Sequence, residues 1–197
     1  SWLSLWLADL GAKVTGYALD PPSTPSLFET ARVAAGIESV RGDICDAAAI
    51  ESLVRRTDPG VVVHMAAQSL VRESYRDPVE TYRVNVMGTV TVLEVLRRVP
   101  GRRAVVVVTS DKCYENRERL EGYREDDRLG GRDPYSNSKA CAELVASAYR
   151  ASFFPPAEHA RHGIGVATAR AGNVIGGGDW AKDRVVPDIV TAVAAGR

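Results

Sequence analysis

Tyr135 and Lys139, in the run Asp-Pro-Tyr-Ser-Asn-Ser-Lys at 133–139, and Ser110, at the end of an apolar run, are residues that together could move a proton. If a helix begins near Pro134, residues four apart project from one face and can share a ligand. A phenol titrates at about 10 and serves as a base near neutrality only when something favours the phenolate; an ammonium one turn away does so. With Ser110 holding a substrate hydroxyl, Tyr135 would take its proton while the carbon beneath gives a hydride to a nicotinamide. Tyr-x-x-x-Lys alone equally describes a solvated helix face. The elements around it must decide.

Those elements alternate. The spacing predicts a helix over 1–10 closed by Gly11, a strand over 13–19, a turn at Pro21, Pro22 and Pro25, a helix over 26–35 and a short strand at 39–41 ended by Asp43. Then follow a helix over 47–56, a strand over 60–65, a long helix over 79–98, a strand over 104–109, a helix over 135–152, a strand over 166–170 and a helix over 185–195 ending at Gly196. Alternating short β-branched runs and longer amphipathic stretches predict an α/β fold, a doubly wound parallel sheet of the Rossmann-like kind. Ligands of such sheets sit beyond the carboxyl ends of the strands. Polar and small residues collect there: Asp43; Ala66, Ala67 and Gln68; Ser110, Asp111 and Lys112; Gly172 and Asn173. The stretch 112–134 carries no helix or strand pattern, and its length is expected only where a loop covers a site.

These residues resemble the extended short-chain dehydrogenase/reductase family, and within it the nucleotide-sugar 4,6-dehydratases. His-Met-Ala-Ala-Gln at 64–68 is similar to the family's strand-end alanine motif, Val-Asn-Val-Met-Gly at 84–88 to its central-helix asparagine motif, and Arg-Ala-Gly-Asn-Val-Ile-Gly at 170–176 to the segment after its sixth strand. Gly-Tyr-Ala-Leu-Asp-Pro-Pro at 16–22, Pro-Ser-Leu-Phe-Glu at 25–29, Thr-Ser-Asp-Lys-Cys-Tyr-Glu-Asn at 109–116 and Gly-Gly-Gly-Asp-Trp at 176–180 are similar to the branch that acts on CDP-glucose. The resemblance implies oxidation of a sugar at C4, loss of water across C5 and C6, and hydride return to C6, with NAD bound throughout. Tyr135 would be the first base, Lys139 would lower its pKa and bond the nicotinamide ribose, Ser110 would hold the C4 oxygen, Asp111 would protonate the departing hydroxyl and Lys112 would be the base at C5. Related dTDP-glucose enzymes carry glutamate where this chain has Lys112, and viewed alone Asp111 and Lys112 form an ordinary turn pair.

The resemblance also implies a cofactor set. Ala66, Ala67, Gln68 and Thr109 would lie beside NAD; Asn85 is either a solvated polar residue or one that bends its helix; Asp43 is a turn residue or, with Ile44, an adenine contact. Asp20 lies near the place of the acidic residue that bonds the adenine ribose, and no arginine pair is there for a 2′-phosphate, so NAD is preferred over NADP. On the substrate side Gln68 and Asn173 would meet the nucleotide sugar, and Arg184 pairs a phosphate or starts a solvated helix. Gly176 to Gly178 looks like a phosphate cradle, but without a following Gly-Lys-Ser or Gly-Lys-Thr it reads as a tight turn.

The 25 basic and 25 acidic residues balance, so the chain shows no electrostatic footprint for nucleic acid or membrane. The apolar start is broken by Asp9 and lacks a basic leader, Trp2 and Trp6 read as helix-spaced core residues, and three scattered cysteines favour neither a disulfide framework nor zinc. His159 and His162 read as loop residues, and no metal is expected. A cytoplasmic homodimer is expected, with the two long helices pairing across the interface as in the family. A glycine-rich turn and first strand are expected before Ser1, and substrate-closing loops beyond Arg197. The chain is then one incomplete NAD-binding domain, with a substrate-binding region starting at about 171 and little turnover by itself. Two alternatives stand: a sugar-nucleotide epimerase, which needs no Asp111–Lys112 pair, and a non-catalytic NAD-binding protein on the same fold.

Overall fold

A computed structural model describes residues 1–181 and 183–197, and the chain packs as two compact units, Ser1–Asp43 with Asn173–Arg197, and Ile44–Gly172. In chain order the described elements are α1 (Trp2–Asp9), β1 (Thr15–Ala18), α2 (Leu27–Thr30), β2 (Glu38–Arg41), α3 (Ala47–Thr57), β3 (Val61–His64), α4 (Val71–Arg76) and α5 (Pro78–Tyr82). After a π-helical segment, Arg83–Met87, follow α6 (Gly88–Arg98), β4 (Arg103–Val108), α7 (Pro134–Ser152), α8 (His159–His162), β5 (Ile164–Ala169) and α9 (Val185–Ala194).

In the first unit β1 and β2 pair in parallel, Thr15 opposite Glu38 through Ala18 opposite Arg41. Gly11, at φ +83°, closes α1 with the paired bonds Gly11 N–H to Ala8 O and Ala12 N–H to Leu7 O, both 2.9 Å. Trp2 and Trp6, read as core, are 57% and 63% exposed. Helix α1 is apolar on every face, so helical spacing could not say which face is covered; the Trp2 indole instead donates to Gly177 O at 3.0 Å. Gly178, at φ +77°, makes the tight turn there, with its backbone close against the Leu27 side chain.

The second unit holds a parallel sheet in the order β3-β4-β5, with β4 central. Val105 and Val107 of β4, Val92, Leu93, Val95 and Leu96 of α6, and Ala142 and Ala146 of α7 are buried, so the apolar stripes meet in one core. Asp133 caps α7, accepting from Ser136 N at 2.9 Å and Ser136 Oγ at 2.6 Å, and Pro134 takes the first helical position, where no N–H is needed. The register of Tyr135 and Lys139 is thereby set locally.

Two expectations change here. The helix predicted over 79–98 is split by the π-helical segment, where side chains compete for its carbonyls: Thr89 Oγ1 donates to Asn85 O at 2.7 Å and Cys45 Sγ to Arg83 O at 3.3 Å. The stretch 112–134 is folded on itself. It opens with the 3₁₀ turn Asp111–Cys113, pairs Tyr114 with Leu129 in an antiparallel bridge, stacks Tyr114 on Tyr123 at 5.1 Å, and holds its tip by the Arg119–Asp127 ion pair. Asn116 and Asp127 accept backbone N–H groups locally, a turn chemistry that hydrophobic periodicity does not report. His159 and His162 fall on the short helix α8, which, like α4, is too short to show a period.

Candidate active site

The carboxyl ends of β3, β4 and β5 carry Met65 to Gln68, Thr109 to Lys112, and Arg170 to Gly172, all within the second unit. Ser110, Tyr135 and Lys139 are 5%, 9% and 6% exposed. Ser110 Oγ donates to Asp111 Oδ1 at 3.0 Å and accepts from Lys112 N at 3.2 Å, and Lys112 Nζ lies 3.6 Å from the same Asp111 oxygen. An alcohol, a carboxylate and an amine thus share one 3₁₀ turn. Asp111 N donates to Ala171 O at 3.0 Å, which ties that turn to the end of β5.

On α7, Tyr135 and Lys139 stand one turn apart. Lys139 Nζ donates to Val108 O, the last carbonyl of β4, at 3.2 Å, and burial lowers its pKa to about 8. His64, at the end of β3, is pushed down to about 4 by burial and by the Lys139 charge, so it is neutral. Since the Thr89 hydroxyl gives its one hydrogen to Asn85 O, His64 Nε2 carries the proton of the 3.1 Å bond to Thr89 Oγ1.

Asn85 is 2% exposed and is not a solvated helix residue. Its carboxamide accepts from Gln68 N at 2.8 Å and donates to Gln68 O at 3.0 Å and to Ser138 Oγ at 2.8 Å; Ser138 Oγ in turn donates to Tyr135 O at 2.7 Å. One side chain therefore links the loop after β3 to the first turn of α7. Gln68 spends its carboxamide on Leu70 and on Thr81 Oγ1, so its side chain fixes the loop, while Ala66 and Ala67 leave the strand end without bulk. Gly88, just past the π-helical segment, lets Ile44 pack against it: a Cβ there would stand 2.7 Å from Ile44 Cγ2.

The remaining expected residues lie in the first unit. Asp20, two residues past β1, pairs with Arg41 at 3.0 Å; Asp43, past β2, accepts the Tyr17 hydroxyl on its carbonyl at 3.0 Å; Asn173 is exposed; Arg184 lies 3.6 Å from Asp179. Sequence reasoning missed Glu143. It is 4% exposed on α7 and accepts from Thr109 Oγ1, from Thr168 Oγ1 at 2.9 Å and from Arg170 at 3.0 Å. Burial would raise its pKa, but the bonds from Arg170, Thr109 and Thr168 outweigh that and hold it below the usual carboxylate range. Spacing held the signal, since 135, 139 and 143 step four by four down one face.

Among the described residues no group of three or more His, Cys, Asp or Glu is placed to hold a metal ion, and no helix is long and apolar enough to cross a membrane.

The chain belongs to the GDP-mannose 4,6 dehydratase family, whose model matches residues 1–162. It is similar to the CDP-glucose 4,6-dehydratase of Salmonella typhimurium, 60% identical over 190 residues that cover 96% of this chain and 53% of the relative. It is also similar to the dTDP-glucose 4,6-dehydratase of Streptomyces antibioticus, 34% identical over 157 residues, 80% of this chain and 43% of the relative. Among solved structures, the Streptomyces venezuelae dTDP-glucose 4,6-dehydratase DesIV, with NAD and TYD bound, matches at TM-score 0.79 and 25% identity over 98% of this chain and 58% of that chain. The chain spans about half the length of the curated relatives it matches.

Proposed function

We propose that this chain is the catalytic half of a nucleotide-sugar 4,6-dehydratase that converts CDP-glucose to CDP-4-keto-6-deoxyglucose and keeps NAD as a resident cofactor. The observation that carries the reading is the turn in which Ser110 bonds Asp111 and Asp111 pairs with Lys112 at 3.6 Å, on the strand end whose last carbonyl holds Lys139. An epimerase has no use for that acid and base. The 60% identity to the Salmonella typhimurium enzyme supports the cytidine nucleotide.

The donor set fits a nicotinamide dinucleotide: a buried ammonium and a phenol one turn apart on α7, the ammonium held by the last carbonyl of a parallel strand. Ala66, Ala67, Thr109, Tyr135 and Lys139 would hold it, with Asn85 and Gln68 fixing the loop and Ile44 packed on Gly88. On the first unit Asp20 and Asp43 remain the candidates for the adenosine end. When bound, NAD supplies the hydride acceptor for C4 and, after elimination, the donor for C6.

This chain's own residues handle the protons. Tyr135 takes the proton of the C4 hydroxyl while Ser110 holds that oxygen, with Lys139 one turn along α7. The C4 ketone acidifies the C5 proton. Lys112 is the base placed to take it, and Asp111 the acid placed to protonate the C6 hydroxyl, which leaves as water. The two groups lie 3.6 Å apart on the one turn. As C6 is reduced Lys112 returns its proton to C5, and the proton Tyr135 took from the C4 hydroxyl offsets the one Asp111 gave up, so the conversion is balanced.

Residues from about 171, with Asn173 and Arg184, begin the substrate-binding region in this reading. A cytoplasmic homodimer is part of it too, supported by exposed apolar residues on α5, the π-helical segment and α7: Val79 at 77%, Met87 at 51% and Leu144 at 58%. The test is to express the complete reading frame containing this chain and incubate it with NAD and, separately, CDP-glucose or dTDP-glucose. The 4-keto-6-deoxy product from CDP-glucose alone supports the proposal. Product from the dTDP sugar alone overturns the nucleotide, and C4 epimer without dehydration overturns the reaction.

A further inference from the structure

The turn that carries Ser110, Asp111 and Lys112 is pinned at both of its ends, and both pins lead to one side chain. At the front Thr109, the residue before Ser110, donates its hydroxyl to Glu143 Oε1. At the back Tyr114, the residue after the 3₁₀ turn, accepts from Arg170 Nη1 at 2.9 Å, while Arg170 Nη2 donates to Glu143 Oε2 at 3.0 Å. The Arg170 guanidinium also lies over the Tyr114 ring, 4.9 Å from its centre, and Nη1 donates to Glu125 O at 3.0 Å. Thr168 Oγ1 donates to Glu143 Oε2 at 2.9 Å and ties the same carboxylate to β5. Glu143 itself stands on α7, one turn beyond Lys139.

We propose that Glu143 is a positioning residue: one buried carboxylate that clamps the acid–base turn at residues 109 and 114 and holds it in register with the helix bearing Tyr135 and Lys139. A carboxylate suits the place because each group aimed at it is a donor, two hydroxyls and a guanidinium, and an anion can accept from all of them. An amide of the same shape can keep an oxygen toward Arg170 and Thr168, but it reverses the bond to Thr109 and loses the charge that holds the Arg170 guanidinium, which weakens both pins. Oxidation at C4 depends on Tyr135, Ser110 and Lys139, and Lys139 keeps its separate bond to Val108 O. Elimination has both of its groups, Asp111 and Lys112, between the two pins, whereas oxidation has only Ser110 of its three there. Loosening the clamp therefore strikes the second step harder than the first.

The inference rests on the dehydratase reading, and the experiment separates the two. With the complete reading frame and CDP-glucose in a single turnover, Glu143→Gln is expected to slow C4 oxidation by less than about tenfold, through Ser110, and elimination by a further factor of about 10 or more, the cost of catalytic groups displaced by a fraction of an ångström to an ångström. Reduced nicotinamide, read by its absorbance, then accumulates where wild type shows none. Tyr114→Phe, which removes only the hydroxyl at the back pin, is expected to accumulate it as well and carries the test if Glu143→Gln fails to fold. Equal slowing of both steps, or no slowing, overturns the clamp. If wild type makes no keto-deoxy product the dehydratase reading fails, and the clamp is then judged by urea unfolding of the Glu143→Gln and Tyr114→Phe single and double variants. Coupling of about threefold or more in the unfolding constant supports it, and additivity overturns it.

Discussion

At the carboxyl end of β4, Ser110, Tyr135 and Lys139 are each less than a tenth exposed, and Ser110 and Lys139 are held by side-chain bonds to neighbouring strand-end groups. At the carboxyl end of β1 the Asp20 side chain is 87% exposed and pairs with Arg41, itself 41% exposed. Both are ends of parallel strands, where an α/β fold offers its ligand sites. The difference follows from the tasks proposed for them. Groups that hold a sugar oxygen and a cofactor in line need fixed orientation, which packing supplies, while Asp111 and Lys112 on the same turn stay 54% and 39% exposed. A carboxylate that reads a ribose from solution can stay hydrated until the ligand arrives, because nothing about its own charge has to change.

The largest way to sharpen that contrast is Lys112→Ala. Product formation in the complete enzyme is expected to fall by about 10²–10⁴-fold, the usual worth of general acid–base catalysis, with hydride transfer from the sugar still detectable as reduced nicotinamide. Undiminished dehydration would remove Lys112 from the β4 set. Next comes Lys139. Its pKa falls from 10.5 in the unfolded chain to about 8 in the fold, so between those values the unfolded chain holds the extra proton and stability rises with pH. The burial cost is fully present below about 8 and is relieved as pH rises toward 10.5. Lys139→Met should therefore stabilise the protein at pH 7 by roughly 2 kcal/mol, the relieved desolvation less the lost Val108 bond, and destabilise it by roughly 1 kcal/mol near pH 10.5, where only the lost bond remains, while abolishing oxidation. Urea unfolding at both pH values checks the sign.

Gly88→Ala ranks third. Its Cβ would stand 2.7 Å from Ile44 Cγ2, and the expected loss is about 1–3 kcal/mol in the same assay. Asp20→Asn should have the smallest effect on stability, within about 1 kcal/mol, because its partner is an exposed arginine. A larger loss there would mean that the first unit's strand end is built as tightly as β4, and the contrast would fail.

Much of this arrangement was legible from residue order. The β-branched runs marked the five strands to within a few residues, and Asp-Pro before Tyr135 marked the start of α7, because those signals are local. The strand-end positions of Ser110, Asp111 and Lys112 followed directly. What escaped depends on contacts distant in sequence. Asn85 could be read as solvated or as bending its helix, and only the fold shows it bonded to Gln68 and Ser138. Trp2 and Trp6 misled because a helix apolar all round has no polar face to orient it. Glu143 escaped because a single acidic residue on a long helix looks like surface; what distinguishes it is Arg170, 27 positions away and brought alongside only when β5 is in place.

The π-helical segment Arg83–Met87 has a consequence for how this chain can vary. Such a segment holds one residue more than a regular α-helix would, and the surplus is what turns Asn85 inward. Loss of a single codon within 83–87 would let α5 and α6 run on as one uninterrupted helix, with a more regular backbone ladder, while cutting the tie between the loop after β3 and the first turn of α7. At that spot a shorter and more regular chain would be one that no longer works, so its length there is under stricter control than the identity of most of its neighbours.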